Sequence, residues 1–199
     1  MKRIVLYIAL IFFFSILLTH RSVAQRISFG LYASESITIT ALGLGELNFN
    51  DKQPVILGGN SVQILLTDEA AAILTITGRA DLDITVTISA PPNLVLDVDN
   101  QIPLSLLFAY SNMGASDEAT AKTQAIQVPA GFTSATFPVL RRSSGPPGPP
   151  PTPDHPGVTY PTGTAYLFIY GSMGPVPNNA AVGLYEGDIN ITVSYSTYN

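Results

Sequence analysis

The chain has 199 residues, fourteen acidic against nine basic side chains, a net charge of −5 and no cysteine. Without cysteine, disulfide frameworks, zinc–thiolate sites and thiol nucleophiles are excluded. An acidic balance also argues against nucleic acid as a partner, because phosphate binding needs a basic surface.

The first segment reads as an export signal. Lys2 and Arg3 precede an apolar run from Ile4 to Leu18 broken only by Ser15, and Ser22-Val23-Ala24 places small residues where a signal peptidase reads them. Residues 1–24 are therefore expected to be a signal peptide cleaved after Ala24. The alternative is a membrane anchor, for which the run is short. Cleavage would remove Lys2, Arg3 and Arg21 but none of the acids, leaving a mature net charge of −8. No second spanning run follows, so no embedded membrane segment is expected after cleavage. The destination is periplasmic, cell-surface or extracellular.

Period-two alternation dominates the rest. Ile27 to Tyr32 is the first strand candidate, followed by Ile37-Ile39-Ala41 and, after a Gly58-Gly59-Asn60 turn, by Val62-Ile64-Leu66. Ile73 to Thr77 follows, with Gly78 read as a turn, and then Ile84-Val86-Ile88 alternating with threonine and serine up to the Pro91-Pro92 turn. Leu104 to Tyr110, Ala125 to Val128, Ala135 to Leu140 and Ala165 to Tyr170 are further candidates. Gly187-Asp188 reads as a turn ahead of a last strand, Ile189 to Tyr195. These are β-branched, threonine-rich segments of strand length with one apolar face. Only Ser116 to Gln124 has helical composition, enough for a turn or two. Many short, turn-bounded strands predict an all-β fold: an antiparallel, immunoglobulin-like (pilin-like) β-sandwich with Greek-key connections, formed by a single domain over residues 25–199. A closed barrel is the alternative.

One stretch breaks the pattern. Residues 143–163 hold eight of the sixteen prolines, including Pro146-Pro147-Gly148-Pro149-Pro150-Pro151. Proline has no N–H to donate to a ladder, so this stretch is expected to be an exposed, extended loop. It reads as a contact arm or as a tolerated insertion between strands.

Residues suited to chemistry are few. After cleavage the only histidine is His155, between Asp154 and Pro156 in the proline-rich loop, with no visible means of being held for catalysis. Acidic pairs stand at Asp68-Glu69, Asp81 and Asp83, Asp97 and Asp99, Asp117-Glu118, and Glu186 and Asp188. Asp97-Val98-Asp99-Asn100 begins like a calcium loop but lacks the glycine and distal glutamate of an EF-hand. Solvated turn acids are the plain reading. No tryptophan is available as a sugar platform. No catalytic, cofactor-binding or metal residue is therefore assigned, and no cofactor is expected.

The order of the motifs resembles a family. Leu47-Asn48-Phe49-Asn50 stands where that family has a Leu-x-Phe-Gly turn, with asparagine in place of glycine. Gly58-Gly59-Asn60-Ser61-Val62, Ala72 to Gly78 and Asp83 to Pro91 follow in order. Gly183-Leu184-Tyr185-Glu186-Gly187 then matches a closing Gly-x-Tyr-x-Gly turn before the last strand. In this order they resemble the secreted bacterial domain of unknown function 4402 family, itself similar to spore coat protein U and fimbrial subunits. The match covers most of Ile37 to Tyr195 and is poor from Asn93 to Gly163. The resemblance implies export, a pilin-like sandwich and no catalytic residues. The function it implies is a non-enzymatic cell-surface structural or adhesive protein, a fimbria-like subunit being one form. The alternative is a stand-alone extracellular module binding a glycan or protein.

Two sharper expectations follow. Tyr185, near a sandwich corner, should be buried with its hydroxyl bonded to main chain. Ile27, Phe29 and Leu31 alternate along an N-terminal strand (27–31) that either completes its own sandwich or, as in fimbrial subunits, completes that of the next copy in self-assembly.

Overall fold

The computed structural model describes residues 24–34, 36–42, 47–141 and 159–196. The signal-peptide reading therefore falls outside the described residues except at Ala24, and His155 lies outside them with the proline-rich core of the loop.

The described elements are, in order, β1 (Ala24–Ala33), β2 (Thr38–Ala41), α1 (Phe49–Lys52), β3 (Val62–Ile64), β4 (Ala72–Arg79), β5 (Asp83–Ser89), β6 (Asn93–Val95) and β7 (Gln101–Ser111). They continue with α2 (Glu118–Thr123), β8 (Ile126–Gln127), β9 (Ser134–Pro138), β10 (Thr162–Met173) and β11 (Leu184–Tyr195). The fold is an all-β sandwich. One layer holds β1, β11, β5, β6 and β9, and the other holds β2, β4, β3, β10, β7 and β8. A continuous ladder joins the layers, because β7 pairs with β6 at its start and with β10 beyond. Every pairing is antiparallel except β1 with β11, which run parallel.

The alternation read from sequence is the alternation of burial. Ile84, Val86 and Ile88 of β5 face inward, as do Tyr185, Ile189, Ile191 and Val193 of β11, while threonine, serine and asparagine face out. This is the period-two signature of a sheet with one wet face. β10 differs because it is central, flanked by β4 and β7 with α2 against it, and is buried from Ala165 to Gly171. One hydrophobic core takes side chains from Ile27 in β1 to Val193 in β11.

The N-terminal strand folds back on its own chain. Phe29 pairs with Ile189 and Leu31 with Ile191. Ile27 is buried, and Phe29 and Leu31 pack on the same core.

Several local expectations need correction. The closing Gly-x-Tyr-x-Gly segment is not a turn: Leu184 to Gly187 is already β11, paired to Ala24–Ile27. Gly187 is glycine because a Cβ there would lie 2.6 Å from the Leu94 side chain. Gly78 is likewise inside β4, where a Cβ would meet the Tyr195 hydroxyl at 2.9 Å. That hydroxyl accepts a hydrogen bond from the Arg79 backbone N–H at 2.9 Å, tying the last strand to the opposite layer. Leu47-Asn48-Phe49-Asn50 is the start of a helix, not a glycine-like turn. Asn48 is the N-cap, its side chain accepting from the Asn50 N–H at 3.0 Å, and Asn50 in turn accepts from the Val55 N–H at 3.1 Å. The asparagines act through side-chain hydrogen bonds, as capping residues do. Strand β6 was not expected: it follows the Pro91-Pro92 turn directly and has a single buried residue, Leu94, so it shows no alternation.

The proline-rich stretch is shorter than its composition implies. It is described from residue 159, and its end is packed. The Arg79 guanidinium lies 3.6 Å from the centroid of the Tyr160 ring, and Pro161 C=O accepts from the Ala80 N–H at 2.9 Å. Thr162 and Gly163 belong to β10. A Gly/Ser replacement of residues 143–158 spares these contacts and is expected to change stability by no more than about 1 kcal/mol, since closure entropy varies slowly with length. Extending the replacement through Gly163 should cost about 1 kcal/mol more, from the lost cation–π contact of Tyr160 with Arg79. Paired thermal melts of the two variants measure the difference.

Candidate functional site

The polar clusters singled out from sequence are engaged in holding loops. Asp97 folds its own turn: its carboxylate accepts from the backbone N–H of Asp99 and Asn100 at 3.0 and 2.9 Å and from the Asn100 side-chain amide. These bonds, the Asn100 amide foremost, hold the Asp97 carboxyl below its ordinary value. Asn100 then accepts from the Ala181 N–H at 2.7 Å, pinning this turn to the approach to β11. The residues that begin like a calcium loop thus form an Asx turn tied to Ala181. Among the described residues, no group of three or more histidine, cysteine, aspartate or glutamate side chains is gathered.

The other acids follow suit. Asp117 caps α2 by accepting from the Thr120 N–H at 2.8 Å. Asp81 pairs with Arg79 at 2.9 Å. On the outer face of the β1–β11 ladder, Glu186 faces Arg26 at 3.6 Å and Asp188 accepts a hydrogen bond from Ser28. Asp68 joins three segments: its carboxylate meets Lys52 Nζ at 2.8 Å and the Leu65 N–H at 2.8 Å, and its carbonyl accepts from Lys122 Nζ at 2.8 Å.

Lys52 and the Leu65 N–H hold the Asp68 carboxyl below its ordinary 3.8. A carboxyl lowered in the folded state stabilises the fold above its unfolded pKa, and the contribution fades as pH falls through the folded value. Melting temperature is therefore expected to drop as pH is taken below about 4, with Asp68 contributing to the slope. Asp68→Asn should flatten that slope and lower stability at pH 7. Melts of both proteins between pH 2 and 7 check it, and parallel curves would show that Asp68 is not a contributor.

Tyr185 is fully buried, and its hydroxyl donates to the Ala181 carbonyl at 2.9 Å, as its position near a sandwich corner predicts. Burial, with the Asp97 charge nearby, raises its phenol above the ordinary value. Its place is structural: it anchors residues 181–185, to which the Asp97 turn is also tied.

A shallow, charged depression of about 430 Å³ lies over Arg26, Ser28, Glu186 and Asp188, whose side chains are paired with one another across the β1–β11 ladder. An uncharged concave surface lies elsewhere. A cleft of about 320 Å³ opens between the layers where β7 crosses from one to the other. Ile88 and Phe132 form one wall, Leu104, Leu106 and Phe108 the other, and Ile169 lies with them. No lining residue is charged. Phe132 is 66% exposed, an apolar ring at the mouth.

The β7 edge bordering this cleft is bare at its middle. Pro103 C=O accepts from the Gly174 N–H at 2.8 Å, so odd-numbered residues of this strand point their backbone groups toward β10. Even-numbered ones point away. Leu104 N–H donates to Pro92 C=O at 2.8 Å, and Phe108 C=O accepts from the Val128 N–H at 3.0 Å. Between them, the N–H and C=O of Leu106 face the cleft side with no backbone partner among the described residues. Sequence reasoning identified this strand but not its open edge. The layer crossing that bares it depends on pairings with β6 and β8, which alternation in β7 alone does not reveal.

A comparison with known protein families finds none whose model matches the chain, and no curated protein matches it.

Proposed function

We propose that the protein is an exported, non-enzymatic structural or adhesive component of a bacterial cell surface. The ordered motifs resembling the domain of unknown function 4402 family suggest this, together with the fimbria-like role that resemblance implies. The observation that carries a binding role rather than a catalytic one is the uncharged, more apolar than polar cleft between the layers. Binding pockets are mostly apolar, with few polar groups to fix orientation. The carboxylates described above are engaged in turns, caps and ion pairs away from it. Self-assembly through residues 27–31 would require β1 to leave the β11 edge.

Immunogold labelling of intact cells in negative stain tests the reading. Label on filaments or on the outer surface is expected. Intact cells that carry the protein by immunoblot but show no surface label would defeat it. Purified chain is expected to turn over no ester, peptide or glycoside substrate, and turnover abolished by replacing Ser105 or Thr133 at the cleft would reassign it as an enzyme.

The second reading, a stand-alone binding module, draws on the same cleft. Its apolar lining favours a protein ligand over a glycan.

A further inference from the structure

Resting on the binding role proposed above, we infer that the cleft takes an extended, uncharged stretch of a partner polypeptide, which adds to β7 as a strand. Two features of different kind meet here. The first is hydrogen bonding. The outward N–H and C=O of Leu106 stand open between the bonds at Leu104 and Phe108, and a donor and acceptor on one residue at a strand edge match an antiparallel peptide backbone. The second is the lining. A strand laid along this edge turns every second side chain toward the cleft. There it meets Ile88, Phe108 and Phe132 and no charge. The recognised sequence is therefore apolar at alternate positions and neutral throughout the stretch that enters.

A glycan fits less well. Its hydroxyls could reach the Leu106 groups, Ser105 and Thr133, but the rest of the lining is apolar and Phe132 is its one exposed ring. A second copy's β1 has the required alternation at Ile27, Phe29 and Leu31, yet Arg26 stands beside it and the strand is already paired.

Amide exchange and peptide titration by NMR on the purified chain test the inference. In the free protein, the Leu106 amide should exchange faster than those of Ser105 and Leu107, which face β10. The probe is the blocked hexapeptide (Thr-Val)₃. It should shift and protect the Leu106 amide and perturb Phe132. The same peptide N-methylated at alternate residues should bind about tenfold more weakly, the loss expected for one or two hydrogen bonds. Ile88→Trp, which fills the cleft, and Leu106→Pro, which removes the donor, should each abolish the shifts, the first serving where the second disturbs folding. Equal binding of both peptides, shifts away from the cleft, or a protected Leu106 amide in the free chain would overturn strand addition. If surface labelling holds while these fail, the surface role stands without this mode of binding. If an uncharged oligosaccharide gives the Leu106 shifts and the peptide does not, the ligand class is wrong.

Discussion

Tyr185→Ala is expected to destabilise the protein by about 3–5 kcal/mol, as for other buried aromatic truncations. The ring has no exposed surface, so its removal leaves a cavity at the start of β11. The Ala181 carbonyl also loses its donor. That residue shares its segment with the Asn100 contact, so the Asp97 turn should loosen as well. Against a total stability of about 5–15 kcal/mol, the change is a large fraction. In a domain of this size it should lower the melting temperature by about 10 °C or more. Tyr185→Phe separates the two effects. It keeps the ring and loses only the hydrogen bond, for an expected cost of about 1 kcal/mol. Thermal melts of both variants measure this. An unchanged melt for the alanine variant would mean that the corner repacks without the ring.

That tyrosine was legible because its surroundings were. A Gly-x-Tyr-x-Gly segment leading into a β-branched alternation limits where an aromatic ring can go. The strands of the core were legible for the same reason: one apolar face leaves a period of two. Glycine was the misleading sign. At Gly78 and Gly187 it marks close approach by Tyr195 and Leu94, and local sequence cannot tell that from a turn. Asn50 misled in a related way. It stands where the resembled family has a turn glycine, but it acts through a side-chain hydrogen bond to Val55, as Asn48 does to Asn50. The cleft was hidden because it belongs to no single segment. It exists where β7 has left β6 and not yet met β8, a relation among three strands brought together by folding.

A chain beginning at Ser34 is expected to lose its cooperative melt. β1 pairs with β11 over ten residues, from Ala24 against Leu184 to Ala33 against Val193. Removing it exposes the edge of β11 and takes Ile27 out of the core and Phe29 and Leu31 from its margin. One fully buried and two half-buried side chains of this size are worth about 5 kcal/mol together, before the ladder is counted. This is comparable to the whole stability of an ordinary domain. The trimmed chain should therefore unfold, or associate through its bared strand edge. Exchange of β1 between copies would reproduce the same contacts and gain little new. Its one visible source of drive is Ser36, at φ 66° between β1 and β2, and a non-glycine residue there costs about 1–2 kcal/mol. Relief of that size does not offset the entropy of joining two chains, which is at least about 4 kcal/mol. The full mature chain should accordingly run as a monomer on size exclusion, with a melt independent of concentration. Adding a peptide of residues 24–33 to the trimmed chain should restore part of the melt by re-forming the parallel ladder. If instead the full chain polymerises and the trimmed chain stays folded and monomeric, β1 is a donor to its neighbour, and the pairing with β11 belongs between copies.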